Sequence, residues 1–174
     1  MSHYHHKPVL CDEIIKYLKP TQGGIYLDGT LGAGGHSEAI LSYPDTNVIG
    51  LDLDPTALDI SGKRLSVFGS RFQAINGNFA HWLSELIPDE LQKEGLDGIL
   101  VDLGVSSMQI DQPKRGFSFQ KDGPLDMRMN PNQELSAREV VNCSSQGEIA
   151  EILWKFGEER LSKRIADRIV QQRS

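Results

Sequence analysis

The sequence predicts an α/β protein built on a parallel sheet. Between Gly24 and Leu103, short apolar runs alternate with longer amphipathic segments, which is the pattern of repeated βαβ units. The first apolar run ends in a glycine-rich turn that leads directly into a helical pattern. The whole chain has 174 residues, which corresponds to about one ordinary domain. We therefore expect one hydrophobic core, with at most part of a second core.

Hydrophobic periodicity places four strands and the helices between them. The predicted strands cover residues 24–28, 47–53, 71–76 and 98–103. Helices are predicted from about residue 36 to 42 and from 55 to 65, the second beginning at a proline suited to a first helical turn. After Phe79, one helical face carries Trp82, Leu83, Leu86 and Ile87. We expect the fourth strand to be buried on both faces because its residues before Asp102 are Gly-Ile-Leu-Val.

Beyond the fourth strand the alternation stops. Residues 1–110 would form the sheet domain and residues 111–135 an irregular connecting segment rich in Gly, Pro, Asp and Phe. Residues 136–174 show uninterrupted helical patterning, with a basic face in the last helix that suits either phosphate binding or simple solvation. Four strands are few for a doubly wound sheet, so we expect the chain to be the front part of a longer protein.

Composition excludes several classes of protein. Hydrophobic residues make up 39% and charged residues 24%, which is too apolar for a disordered chain. Apolar runs are far shorter than the ~20 residues that span a bilayer, and no signal-peptide pattern is visible, so we expect a cytoplasmic or organellar protein without a membrane partner. The net charge of −6 argues against nucleic-acid binding by the whole surface but permits a local basic patch.

No metal site or disulfide is expected. Cys11 and Cys143 lie far apart and belong to no C-x-x-C pair, so structural thiols are the better interpretation. A histidine cluster at residues 3, 5 and 6 has no carboxylate or thiol near it in sequence.

The turn from Asp28 to His36 follows a predicted strand and opens a helix, where glycines let the backbone approach a ligand. It lacks the third spaced glycine that dinucleotide-binding loops use for close helix packing. It is closer to the D-x-G-x-G-x-G loop of methyltransferases that bind S-adenosylmethionine, with Thr30 in place of the first glycine. The alternative is a tight turn with a purely structural role.

Acidic residues follow the second strand. Asp52 could accept hydrogen bonds from both ribose hydroxyls of an adenosyl group, whereas Asp54, next to Pro55, is better explained as a helix cap. At the end of the third strand, Phe79 offers a flat ring on which adenine could stack, and ordinary core packing explains it nearly as well.

Asp102 follows the fourth strand, at the carboxyl edge where open α/β sheets bind ligands. A carboxylate there can hold one N–H of an exocyclic amine, so that the nitrogen rehybridises toward an incoming methyl group. Cofactor binding, or capping of the following turn, is the alternative role.

These motifs resemble the MraW/RsmH family, S-adenosylmethionine-dependent methyltransferases that act on N4 of a cytidine in small-subunit ribosomal RNA. The resemblance covers nearly the whole chain and is most specific in the run from Arg115-Gly116-Phe117-Ser118-Phe119 to Asp126-Met127-Arg128-Met129. Two departures are Asn130, where the family usually has Asp, and Phe156, where Tyr is common.

The resemblance implies a Rossmann-like class I methyltransferase sheet, with a helical insertion domain that begins after the fourth strand and helps to grip RNA. It implies cofactor-binding roles for Gly34, Gly35, His36, Asp52, Phe79, Asp102 and Gln109. The first three would contact the methionine part, the next two the ribose and the adenine region. The implied partner is small-subunit rRNA or the assembled small ribosomal subunit, and the sequence leaves a homodimer open.

For RNA contact, Arg115, Phe117 and Phe119 interleave charge with aromatic rings, as in platforms on which unstacked bases stack. Alternatively, both phenylalanines anchor their loop on the core.

Two functions of different class follow. The first is an enzyme that transfers methyl from S-adenosylmethionine to cytidine N4, with Asp102 as the catalytic residue and an effect on the ribosomal decoding centre. The second is a non-catalytic ribosome-binding or assembly module that retains the fold. A nicotinamide-dependent oxidoreductase is disfavoured by the missing third glycine.

Overall fold

A computed structural model describes residues 8–82 and 95–173. Its centre is a four-stranded parallel sheet in the order β3-β2-β1-β4. The strands are β1 (Gly24–Asp28), β2 (Thr46–Asp52), β3 (Phe72–Asn76) and β4 (Gly98–Leu100). The strand order reverses at β1, because β2 and β3 lie on one side of it and β4 on the other. The predicted α/β class, with a Rossmann-like parallel sheet, is confirmed.

Helices connect and follow these strands. Before and between the strands lie α1 (Cys11–Leu18), α2 (Gly35–Leu41), α3 (Pro55–Leu65) and the single turn α4 (Phe79–His81). Short 3-10 segments cover Pro20–Gln22, Ser66–Arg71 and Pro113–Arg115. Through residue 76, the predicted strands and helices agree with the structure to within one residue at each end. Of the helix predicted after Phe79, the positions Leu83, Leu86 and Ile87 lie outside the described residues.

The core occupies both faces of the sheet because neighbouring strand residues point in opposite directions. One cluster of buried side chains contains Tyr26, Leu31, Ile40, Leu41, Val48 and Leu65. The other contains Leu27, Ile49, Leu51 and Trp82. The adjacent residues Tyr26 and Leu27 thus contribute to different clusters, as expected for a strand covered on both sides.

The prediction for the fourth strand is wrong in length and burial. β4 ends at Leu100 rather than at 103, and the side chains of Ile99 and Leu103 are 47% and 76% exposed. Among the described strands, β4 pairs only with β1, so it forms an edge of the sheet. An apolar composition does not distinguish an edge strand from a central one.

The chain divides into two compact units, one ending at Gly104 and one beginning at Val105. The division at residues 110 and 135 that the sequence suggests stays a prediction. The second unit contains α5 (Ser107–Asp111), α6 (Ala137–Cys143), α7 (Gln146–Gly157) and α8 (Ser162–Gln172).

The helical patterning predicted from residue 136 agrees with the structure, where three separate helices occupy that range. A capping box at Ser145 and Glu148 starts α7, and Glu158 ends it in a left-handed conformation with φ 50°.

Within residues 8–82 and 95–173, no helix is long and apolar enough to cross a membrane. The same ranges contain no cluster of histidine, cysteine or acidic side chains arranged to hold a metal ion. The histidines at positions 3, 5 and 6 lie outside the described residues.

Candidate active site

Asp52, at the end of β2, holds the glycine-rich loop in place. Its Oδ2 accepts a hydrogen bond from the backbone N–H of Gly32 at 2.8 Å, and its Oδ1 accepts one from Asp54 at 2.8 Å. Burial raises the pKa of the Asp52 carboxyl, and the hydrogen bonds from these backbone amides partly offset that effect. A carboxylate offers about four lone-pair positions, so the side chain can still accept a hydrogen bond from a ligand.

Asp54 has the structural role that its position next to Pro55 suggested. Its side chain is buried and accepts from the backbone N–H of Thr56 at 3.0 Å, capping the N-terminus of α3. Of the two acidic residues, Asp52 is therefore the one with acceptor capacity beside the loop.

Asp28, which ends β1, is a buried acidic residue to which sequence reasoning gave no role of its own. Its Oδ2 accepts from the Ser37 hydroxyl at 2.7 Å and its Oδ1 from the backbone N–H of Thr30 at 3.2 Å. Burial raises the pKa of this carboxyl, and the hydrogen bonds from Ser37 and Thr30 partly offset that effect. The sequence signal for this structural role was the position of Asp28 at the end of an apolar strand and directly before a glycine turn.

Packing explains much of the Gly34-Gly35-His36 segment. Gly34 has φ 78°, and an added Cβ would lie 2.9 Å from Cδ1 of Leu65 in α3. A Cβ at Gly35 would approach Cγ of Pro8 to 3.1 Å. The buried His36 ring donates from Nε2 to the carbonyl oxygen of Val9 at 2.9 Å, since a carbonyl can only accept.

Phe79 packs beside the loop and in the core. A Cβ at Gly29 would come within 3.0 Å of the Phe79 Cβ, so the glycine permits this close approach. Phe79 is half-buried and also packs against the cluster around Leu27 and Trp82. The structure thus supports the core interpretation while leaving part of the side chain accessible beside the loop.

Asp102 lies just beyond β4 with an exposed side chain. Its backbone N–H donates to the Thr30 hydroxyl oxygen at 2.7 Å. The structure therefore joins the end of β4 to the loop after β1, which brings two motifs 72 residues apart into direct contact.

Gln109 belongs to the second unit, where it completes a capping box at the start of α5. The Ser106 N–H donates to its Oε1 at 3.0 Å, and its own N–H donates to the Ser106 hydroxyl oxygen at 3.3 Å. The S-x-x-Q pattern at residues 106–109 is the sequence signal that would have revealed this role.

Arg115 is half-buried and holds its own segment together. One guanidinium nitrogen, Nη2, donates to the carbonyl oxygens of Arg128 at 2.8 Å and Met129 at 3.0 Å. The backbone N–H of Met127 donates to the Arg115 carbonyl at 3.0 Å. Arg115 therefore has a structural role, and RNA binding is not needed to explain why an arginine occupies this position.

The two phenylalanines of this segment differ in burial. Phe117 is half-buried, whereas the side chain of Phe119 is fully exposed. The alternative in which both rings anchor the loop therefore fails for Phe119, whose ring is open to solvent.

A sequence profile of the MraW methylase family matches residues 3–174. The chain belongs to this family. The resemblance drawn from the motifs of the glycine loop and of residues 115–129 is thereby confirmed.

Named relatives agree with this membership. The chain is 51% identical over 178 residues to the "Ribosomal RNA small subunit methyltransferase H" of Trichlorobacter lovleyi, covering 99% of this chain and 55% of that protein. It is 49% identical to the protein of that name from Geotalea uraniireducens, with 99% and 55% covered, and 47% identical to that of Heliobacterium modesticaldum, with 98% and 55% covered. The chain thus spans about half the length of the curated relatives it matches.

Proposed function

We propose that the protein carrying this chain transfers a methyl group from S-adenosylmethionine to the N4 amino group of a cytidine in small-subunit ribosomal RNA, in the cytoplasm or an organelle, with an effect on the decoding centre. Family membership and the names of the relatives support the reaction class and the RNA. The structural observation that carries it is the pair of carboxylates on either side of the loop after β1: Asp52 is the last residue of β2, and Asp102 lies two residues beyond the end of β4.

The residues at this edge fit an adenosyl cofactor. Asp52 accepts hydrogen bonds from nearby backbone amides, among them those of Gly32 and Asp54, and a carboxylate with about four lone-pair positions can still accept from a ribose hydroxyl. The partly accessible Phe79 ring is the candidate surface for adenine. Because Gly34 and Gly35 face α3 and Pro8, their contact with the methionine part would come from backbone atoms.

The remaining cofactor assignments, His36 and Gln109, stay proposals. His36 has its Nε2 committed to Val9, which leaves Nδ1 as the ring atom for a ligand. Gln109 accepts one hydrogen bond on Oε1 in the capping box of α5, so a ligand contact would use its amide N–H groups or the second lone pair of that oxygen.

Bound S-adenosylmethionine supplies an electrophilic methyl group on a sulfonium sulfur. The Asp102 carboxylate accepts one N–H of the cytidine amine, which localises the nitrogen lone pair and directs it away from the ring. As the nitrogen gains the methyl group it loses one proton, and the same carboxylate is the acceptor that this chain provides. A base paired in a helix would have to leave its stack to reach this edge.

Calorimetric titration with S-adenosylmethionine tests the cofactor site. We expect Asp52→Asn to weaken binding roughly tenfold or more, because an amide cannot replace all the acceptor positions of a carboxylate. Asp59→Asn, a surface change in the Lys63 ion pair, is the matched control and leaves binding unchanged. Equal affinity of Asp52→Asn and the unmodified chain, or comparable binding of NAD, would contradict the proposed cofactor.

Methyl incorporation into isolated small ribosomal subunits tests the reaction in the full-length natural protein. Because Asp102 is also assigned to the cofactor pocket, Asp102→Ala should reduce turnover beyond any loss of S-adenosylmethionine affinity, and an unchanged rate would contradict its catalytic role. Tight binding to subunits without any methyl incorporation by the unmodified protein would replace the enzyme with a non-catalytic assembly module.

A further inference from the structure

The hydrogen-bond ladder between β1 and β4 ends before Asp102. The last pair in register is Asp28 with Leu100, and the Gly29 N–H then donates to the Leu100 carbonyl at 2.8 Å. The next bond between these segments comes from a side chain, since the Asp102 N–H donates to the Thr30 hydroxyl oxygen at 2.7 Å. A threonine side chain thus continues the connection where the sheet itself stops.

Thr30 is itself fixed from two sides. Its backbone N–H donates to the buried Asp28 carboxylate at 3.2 Å, and that carboxylate also accepts from Ser37. The next residue, Leu31, donates its N–H to the Leu51 carbonyl at 2.9 Å and has a buried side chain. The hydroxyl therefore projects from a rigid part of the first unit.

Asp102, in contrast, has little else among the described residues to fix its backbone. β4 contributes only three residues to the sheet and pairs with a single described strand. The following side chain, Leu103, is 76% exposed. A carboxylate that projects from such a segment would sample many positions without a further tether.

We propose that Thr30 is a positioning residue for the reaction: its hydroxyl oxygen accepts the Asp102 N–H and thereby sets the point from which the Asp102 carboxylate reaches the amine. This inference rests on the proposed function, in which Asp102 acts on the substrate. Because catalysis depends steeply on the placement of reacting groups, loss of the tether reduces turnover more than cofactor binding.

The test uses Thr30→Val, which keeps the shape of the side chain and removes the acceptor oxygen, in the full-length natural protein. We expect kcat for methyl transfer to fall roughly tenfold or more while KM for S-adenosylmethionine stays within about twofold. Thr30→Ser restores the oxygen and should return most of kcat.

Two outcomes would overturn the proposal. A parallel rise in KM for S-adenosylmethionine would mean that the hydroxyl binds the cofactor directly. Failure of Thr30→Ser to restore kcat would mean that the methyl group of Thr30 matters.

Two further measurements separate this inference from the proposed function. In an Asp102→Asn background, Thr30→Val should cause no additional loss of kcat, because both changes act on one group. Hydrogen exchange of the Asp102 amide should accelerate in Thr30→Val while the Gly29 amide is unaffected, whether or not the protein is active. If Asp102→Asn keeps full activity, the catalytic assignment fails; if it loses activity and Thr30→Val does not, only the role of Thr30 fails.

Discussion

Asp126 and Arg128, two residues apart, form an ion pair with two parallel hydrogen bonds. Oδ1 of Asp126 accepts from Nε of Arg128 at 2.9 Å, and Oδ2 accepts from Nη2 at 2.7 Å. The same guanidinium donates to the Gln133 carbonyl at 2.7 Å. Chiefly because of the Arg128 hydrogen bonds, the pKa of Asp126 is lowered to about 2. The charged pair and this backbone contact therefore help to hold residues 126–133 in place.

This ion pair predicts a pH dependence of stability. A lowered carboxyl pKa means that the stabilisation is complete above the ordinary value near 3.8 and disappears as the pH falls through about 2. We expect the thermal midpoint of the chain to drop more steeply between pH 4 and pH 2 than that of Asp126→Asn, as measured by circular dichroism.

The control is Asp122→Asn, a nearby exposed residue that accepts from the N–H of Gly123 at 3.0 Å. This variant should follow the unmodified chain across the same range. Parallel curves for the unmodified chain and Asp126→Asn would show that the pair contributes nothing to folding.

At the scale of elements, α2 and α3 meet through a glycine. Gly34 caps α2 with φ 78°, and its Cα faces Ser61 and Leu65 of α3. Gly34→Ala should destabilise the chain by about 1–3 kcal/mol, because alanine resists this backbone conformation and its Cβ would lie 2.9 Å from Leu65. Urea unfolding followed by fluorescence or circular dichroism measures the difference.

Gly62 offers the matched comparison inside α3. A Cβ added there meets no atom within 4 Å, so Gly62→Ala should raise the free energy of unfolding by roughly 0.5–1 kcal/mol through helix propensity. If both alanine variants change stability in the same direction, the packing argument for Gly34 is wrong.

Periodicity predicted the elements that are buried on both sides, and it failed where neighbours decide the outcome. β1, β2 and α3 followed from apolar spacing because each contributes to the core. The exposure of Ile99 depends on which strand lies beside β4, and no local pattern records that. The start of α7 does have a local sequence signal, because Ser145 and Glu148 form a capping box. Such a motif marks a helix start even where the apolar spacing is continuous.

At the scale of the whole molecule, a net charge of −6 disfavours nucleic-acid binding by the whole surface, so the proposed contact with RNA would be local. Phe119 is the residue best placed for such contact, because its ring is fully exposed in a turn where the backbone N–H groups of Gln120 and Lys121 donate to the Ser118 hydroxyl oxygen. An exposed aromatic ring on a fixed segment can stack with an unpaired base at little entropic cost.

Phe119→Ala should therefore weaken binding of a cytidine-containing single-stranded RNA to the full-length natural protein by roughly fivefold or more, as measured by fluorescence anisotropy. Phe156→Ala, which removes another exposed ring beside Lys155, should leave RNA affinity unchanged. Equal losses in the two variants would indicate nonspecific aromatic contacts rather than a binding site at Phe119.

The candidate site was predictable in part. Asp52 and Asp102 follow the ends of strands, and strand ends can be located from sequence. The bond from Asp102 to Thr30 joins residues 72 positions apart, so only the folded structure shows it. Likewise, the two phenylalanines alternate with small residues in the run 115–119. This pattern does not distinguish the half-buried Phe117 from the exposed Phe119.

The strand order β3-β2-β1-β4 also has a consequence for the order of folding. Gly24 pairs with Thr46, 22 residues later, whereas the contact of Ile25 with Asp97 closes a loop of 72 residues. Longer loops cost more entropy to close, so β1, β2 and β3 can associate before β4 arrives. The last strand to join the sheet then delivers Asp102, the carboxylate that we propose acts on the amine, to a loop that is already formed.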